Sequence, residues 1–127
     1  MKPLLADASA ILAYLNFEPG SDMVAKHLSE IAISSVNLAE IITVLTLSDI
    51  KKDWIDSRLK SVFGNILEFT PEHAQLAGSL VAMTKKHGLS LGDRACLATG
   101  ITMKAKVLTT DTAWKNLDIG VEIILIR

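Results

Sequence analysis

Asp7, Glu40, Asp93 and Asp111 are the residues of this chain best suited to chemistry, because each falls just after an expected strand or in the first turns of an expected helix. Asp7 follows Leu4 and Leu5, and Glu40 lies in the first turns of a helix expected after Ile31-Ala32-Ile33. Asp93 belongs to the first turn of a helix expected to start near Ser90 or Leu91, and Asp111 comes directly after Val107-Leu108. In a parallel sheet the C-terminal strand ends and the following helix starts share one edge, where ligands bind. Four acids far apart in sequence are therefore expected at one edge. Carboxylates crowded together without cations repel one another and are partly protonated. Mg2+ or Mn2+ removes that cost, since such hard cations prefer oxygen ligands and keep several waters. A metal so held activates water and stabilises charge on a phosphoryl group in transfer. The histidines His27, His73 and His87 are scattered and Cys96 is the single cysteine, so no zinc site is expected.

The elements that must position these acids follow from short apolar runs alternating with longer helical patterns. A first helix is expected from Ala8, breaking around Glu18-Pro19-Gly20, and Ser21 is expected to cap a short second helix burying Val24 and Leu28. Ser34 or Ser35 is expected to cap a helix carrying Leu38, Ile41, Ile42 and Leu45. Asp49 is expected to cap another, with Ile50, Trp54, Leu59, Val62 and Phe63 near 3.6 periodicity and Gly64 as its stop. Ile66, Leu67 and Phe69 predict a third strand. Thr70-Pro71 predicts a helix running to the cationic turn Lys85-Lys86-His87 and a left-handed Gly88. The next helix continues towards Lys104, followed by a strand at Val107-Leu108, a short helix over 113–117 and a buried fifth strand over 121–126. Short apolar strands separated by helices indicate a parallel sheet covered on both faces. The expected architecture is a three-layer α/β/α sandwich with a mostly parallel five-stranded sheet, one domain over residues 1–127.

Composition narrows the classes of function. Half of the 127 residues are apolar and 21% are charged, with a mean hydropathy of +0.37, which excludes intrinsic disorder. Thirteen basic against fourteen acidic residues leave a net charge of −1, so nucleic acid must be held by a local patch rather than by overall charge. No uncharged stretch approaches the roughly 20 residues of a membrane-spanning helix, and Asp7 interrupts the apolar start before it can form a secretory signal. The expectation is a soluble, cytoplasmic protein without a membrane partner. Neither a P-loop nor a G-x-G-x-x-G run is present, which removes nucleotide-cofactor enzymes.

Four segments occur in order: Asp7-Ala8-Ser9-Ala10 with Leu12 and Leu15; Ser34 through Asn37-Leu38-Ala39-Glu40; Leu91-Gly92-Asp93-Arg94-Ala95-Cys96-Leu97-Ala98; and Leu108-Thr109-Thr110-Asp111. Together they resemble the PIN domain, and in particular the VapC toxins of bacterial and archaeal toxin–antitoxin pairs, over essentially the whole chain. The resemblance implies that Asp7, Glu40, Asp93 and Asp111 bind Mg2+ or Mn2+ and that the domain cleaves RNA, leaving 5′-phosphate and 3′-hydroxyl ends. It also implies a homodimer and a cognate antitoxin, whose apolar helix lies in a groove while a basic side chain reaches the acids. High aliphatic content in a small domain agrees with apolar surface left for such partners.

Each residue also has a plainer reading. Asp7 would serve as an N-cap, Asp93 as the acidic partner of a capping box begun by Ser90, and Asp111 as an Asx-turn residue. Ser9 and Thr110 read either as hydroxyls orienting the ligands or as turn and cap residues. Asn37 reads as a helix-start residue, with orientation of Glu40 as the other use. Arg94 would contact a phosphate or pair with Asp93. Lys104, Lys106 and Lys115 lie near the acids in sequence and are the other candidate RNA contacts. Cys96 reads as a small buried residue, and Met23, Met83, Trp54 and Trp114 as core or interface. The rival function from another class is a non-catalytic PIN-like module that binds RNA or protein.

Overall fold

The computed structural model describes residues 2–62 and 64–127. Five strands, β1 (Leu4–Ala6), β2 (Ile31–Ser34), β3 (Ile66–Leu67), β4 (Lys106–Thr109) and β5 (Glu122–Leu125), form one sheet in the order β3-β2-β1-β4-β5. Every pairing is parallel, with Leu5 opposite Ala32 on one side and Val107 on the other. Strand alternation divides the core in two. Leu5, Ala32 and Val107 face one layer, while Ala6, Ile31, Ile33 and Leu108 face the other.

The layer over Ala6, Ile33 and Leu108 is built by α1 (Ala8–Leu15), α2 (Ser21–Lys26), α3 (Ser35–Leu47) and α4 (Lys52–Val62), which contribute Ile11, Val24, Ile41 and Ile55. The opposite layer comes from α5 (Pro71–Ser79), α6 (Val81–Thr84) and α7 (Leu91–Met103), with Ala77, Leu80, Leu97 and the fully buried Trp114. The three-layer sandwich expected from the rhythm of the sequence is therefore the fold. Gly100 lets α7 lie close on the sheet, since a Cβ there would sit 2.7 Å from Val107.

Several local expectations are met atom by atom. Ser34 caps α3 by accepting from the Val36 amide at 3.2 Å. Thr70 caps α5 with Pro71 at its start, and Ser90 caps α7.

Others are corrected. Ser21 is the first residue of α2 rather than its cap, and Gly20 at φ 95 precedes it with no side-chain cap. Asp49 does not start α4. It sits at φ 61 and ends α3, where the Ile50 amide donates back to the Leu45 carbonyl at 3.1 Å. The helix predicted to run to Gly88 is broken at Leu80. Ser79 and Thr84 donate their hydroxyls to the Leu76 and Leu80 carbonyls at 2.9 and 2.8 Å, a pattern that bends helices. The short helix over 113–117 is a 3-10 turn, Thr112–Asn116. β5 is an edge strand, so its residues are only partly buried. Trp54 and Met83 lie outside the core at 43% and 62% exposure. The expectations for Phe63 and for the Val62 side chain lie outside the described residues.

Candidate metal centre

The strand order reverses between β1 and β4, which makes their C-terminal ends the switch point where open α/β sheets bind ligands. Asp7 stands there, 5% exposed. As the N-cap of α1 its Oδ1 accepts from the Ala10 amide at 2.9 Å and from Ser9 Oγ at 2.7 Å. Its Oδ2 accepts from Thr109 Oγ1 at 2.6 Å. Burial pushes the Asp7 carboxyl from 3.8 up to about 6, against the pull of these three hydrogen bonds, and the nearby Asp93 adds a smaller rise.

The end of β4 is stitched to the same carboxylate. The Thr110 amide donates to Ser9 Oγ at 3.0 Å, and the Asp111 amide donates to Thr109 Oγ1 at 3.1 Å. Ser9 thus orients Asp7, whereas Thr110 contributes its backbone and Thr109 supplies the hydroxyl. Thr109 was not singled out in the sequence. Register would have found it: Leu5 pairs with Val107 and Ala6 with Leu108, so the next step sets Asp7 opposite Thr109. Asp111 is exposed and caps the following turn by accepting from the Ala113 amide at 3.0 Å.

Glu40 sits on α3 with its carboxylate steered by Asn37, whose Nδ2 donates to Glu40 Oε1 at 2.7 Å and to the Gly92 carbonyl at 3.1 Å. Orientation of Glu40 is therefore the use of Asn37, which is 1% exposed. Asp93 and Ser90 form a reciprocal capping box, with Asp93 Oδ2 accepting from the Ser90 amide at 3.0 Å and Ser90 Oγ accepting from the Asp93 amide at 3.1 Å. The capping roles of Asp7, Asp93 and Asp111 are thus real, and they fix these side chains rather than consume them. A carboxylate offers about four lone-pair sites, so each retains acceptor capacity.

Three of the acids converge. The buried Cys96 thiol is pushed well above its ordinary value by burial and then by the fields of Asp7, Asp93 and Glu40 together. Asp111 is tied to them only by its backbone amide, through Thr109, and its carboxylate is exposed. Among the described residues no three His, Cys, Asp or Glu side chains form a ready-made ligand set, and none of the four acids makes a salt bridge. The donors are all oxygens, and Asp7 carries a desolvation penalty that a cation would relieve. That chemistry suits a hard divalent ion such as Mg2+ or Mn2+.

The basic candidates separate sharply. Arg94 does not pair with Asp93; its Nη1 donates to the Ala77 carbonyl on α5 at 2.8 Å. Lys104 closes the far end of α7 at φ 55, roughly 16 Å along the helix axis from Asp93. Lys106 opens β4 and lies 3.9 Å from Glu122. Both occupy the opposite edge of the sheet, because α7 runs away from the acids before β4 returns. Lys115, in the turn after Asp111, is exposed on the acidic edge.

Fold and site together define an α/β domain with an acid-rich switch point. The chain matches the model of the PIN domain over residues 4–120 and belongs to that family. No curated protein matches the sequence. Among solved structures, a chain of DNA-bound VapBC from Salmonella typhimurium is similar with a TM-score of 0.78 and 16% identity, each chain covered in full. FitAcB from Neisseria gonorrhoeae aligns with a TM-score of 0.71 and 24% identity over 95% of this chain and 96% of that one. VapBC-5 from Mycobacterium tuberculosis, a member of the VapBC family of toxin–antitoxin systems, gives 0.64 and 20% over 100% and 99%.

Proposed function

We propose that this PIN domain is a Mg2+- or Mn2+-dependent endoribonuclease, the toxin of a toxin–antitoxin pair. The observation that carries the reading is the buried Asp7 carboxylate at the switch point together with a Glu40 carboxylate lying against Gly92, beside Asp93 in the first turn of α7, with no salt bridge to balance the three among the described residues. Asp7, Glu40 and Asp93 would hold the ion with Asp111 beside them, and the bound ion would supply activated water and offset charge on phosphorus. The protein's own part is orientation. Ser9 and Thr109 fix Asp7, Asn37 fixes Glu40, and the Ser90 cap fixes Asp93. Lys115, exposed in the turn after Asp111, would meet a phosphate of the RNA.

Support for the partners comes from the relatives and the surface. The similar structures include VapBC complexes. Between α3 and α4 run two neighbouring apolar cavities of about 320 and 380 Å³, both bordered by Asp56. A groove of this kind suits an apolar antitoxin helix, and exposed Phe17 and Leu47, at the ends of α1 and α3 away from the acids, leave apolar surface for a homodimer. No described helix is long and apolar enough to cross a membrane, and the site of action proposed is the cytoplasm.

The rival, a non-catalytic module binding RNA or protein, draws on the lack of a ready-made ligand set among the described residues. Incubation of purified protein with RNA in Mg2+, Mn2+ or EDTA, beside Asp7→Asn, separates the two. The nuclease reading expects metal-dependent cleavage with 5′-phosphate and 3′-hydroxyl ends, lost in Asp7→Asn. Cleavage surviving in that variant, ends bearing 2′,3′-cyclic phosphate, or no cleavage at all would contradict it.

A further inference from the structure

We propose that Asn37 and Gly92 form a slot that positions the Glu40 carboxylate, and that this slot sets the affinity of the acid cluster for a divalent ion. The inference rests on the metal-centre reading above and deepens it.

Asn37 forms one wall. It is buried, and Nδ2 spends both hydrogens on oxygens, Glu40 Oε1 and the Gly92 carbonyl. A flipped amide would turn Oδ1 towards those two acceptors, so the bonding pattern dictates the orientation. Oδ1 is left buried without a partner among the described residues. A buried unpaired acceptor is costly, and the two donated bonds hold the amide in place despite it.

Gly92 forms the other wall. A Cβ there would overlap the Glu40 carboxylate, with Oε1 at only 2.5 Å and the remaining carboxylate atoms nearer still. Helix position alone does not ask for glycine, because Gly78 in α5 has nothing within 4 Å of the same built atom. The carboxylate thus lies against the bare Cα of α7, pinned there by an amide that also clasps α7 by its backbone. Glu40 and Asp93 are thereby held in a fixed relation although they come from different helices. Asn37 and Gly92 are positioning residues, acting on the ion only through Glu40.

Alanine at Gly92 gives a variant that should fold. What must move is the far end of a flexible side chain, and alanine favours the helix. Gly78→Ala is the matched control, and Asn37→Ala removes the opposite wall. Mn2+ binding to the full chain is followed by electron paramagnetic resonance of free Mn2+, with thermal melting in EDTA alongside. Gly92→Ala and Gly78→Ala are expected to melt at or above the wild type. Mn2+ affinity is expected to fall by about 10- to 100-fold in Gly92→Ala and Asn37→Ala, the range for partners that orient metal ligands, and to be unchanged in Gly78→Ala. Should Asn37→Ala fail to fold, Gly92→Ala decides alone. Affinity within twofold of wild type in a folded Gly92→Ala, or an equal loss in Gly78→Ala, would overturn the slot. Wild type that binds no Mn2+ would overturn the metal centre and the slot together. Wild type that binds Mn2+ without cutting RNA would overturn the ribonuclease alone, and the Gly92→Ala comparison would still decide the slot.

Discussion

Replacing Asp7 by Asn should stabilise the metal-free protein, and only above a defined pH. The folded-state carboxyl titrates at about 6 against 3.8 for the free side chain, mainly because it is buried. Two units at 1.36 kcal/mol each make the ionised form costly by about 3 kcal/mol. Between these pH values the folded state binds more protons than the unfolded one. This group therefore costs nothing below pH 4, destabilises the fold progressively as pH rises towards about 6, and exerts its full effect above 7. Asn caps a helix as well as Asp does, and its Oδ1 keeps the bonds from Ala10 and Ser9. The bond from Thr109 must reverse, which offsets part of the gain. Asp7→Asn is thus expected to be about 1–3 kcal/mol more stable than wild type at pH 7.5 and no more stable at pH 4. Urea unfolding in EDTA from pH 4 to 8 measures the difference. Mn2+ should then invert the order, since it stabilises only the chain that binds it. A difference independent of pH, or one that grows on acidification, would refute the assignment of a strained buried carboxylate.

Other outcomes follow from the same geometry. Thr109→Val removes the donor to Asp7 Oδ2, so Asp7 should titrate still higher and stability at neutral pH should drop by about 1–3 kcal/mol, read from the same unfolding series. Lys115→Ala should weaken RNA binding and reduce its salt slope by about one, while Lys104→Ala and Lys106→Ala leave both unchanged in fluorescence anisotropy. Arg94→Ala should destabilise the contact of α7 with Ala77 without altering RNA affinity. Light scattering should give twice the 13.7 kDa chain mass; a constant mass of one chain over a wide concentration range would remove the homodimer.

The layers and the acid-rich edge were legible because both depend on local pattern. Short apolar runs such as Ile31-Ala32-Ile33, bounded by helical patterns, read as buried strands of a covered sheet, and an acid placed after such a run is carried to its C-terminal edge by topology. Ser90 and Asp93 announced their own capping box. What sequence could not reveal is set by register and by path. Thr109 rather than Thr110 faces Asp7 because strand pairing admits one of two neighbouring threonines. Lys104 and Lys106 are close to Asp111 along the chain, but the extended β4 between them carries Asp111 to the other edge of the sheet. The need for glycine at position 92 arises from a side chain more than fifty residues earlier, which no local pattern records.

The central claim is that acids from three separate segments, with Asp111 beside them, hold a divalent ion at the switch point. Anomalous scattering from crystals grown with Mn2+ tests it most directly. A manganese peak is expected in contact with the carboxylates of Asp7, Glu40 and Asp93, and absent from Asp7→Asn crystals grown in the same way. A peak elsewhere on the chain, or none at saturating Mn2+, would contradict the account.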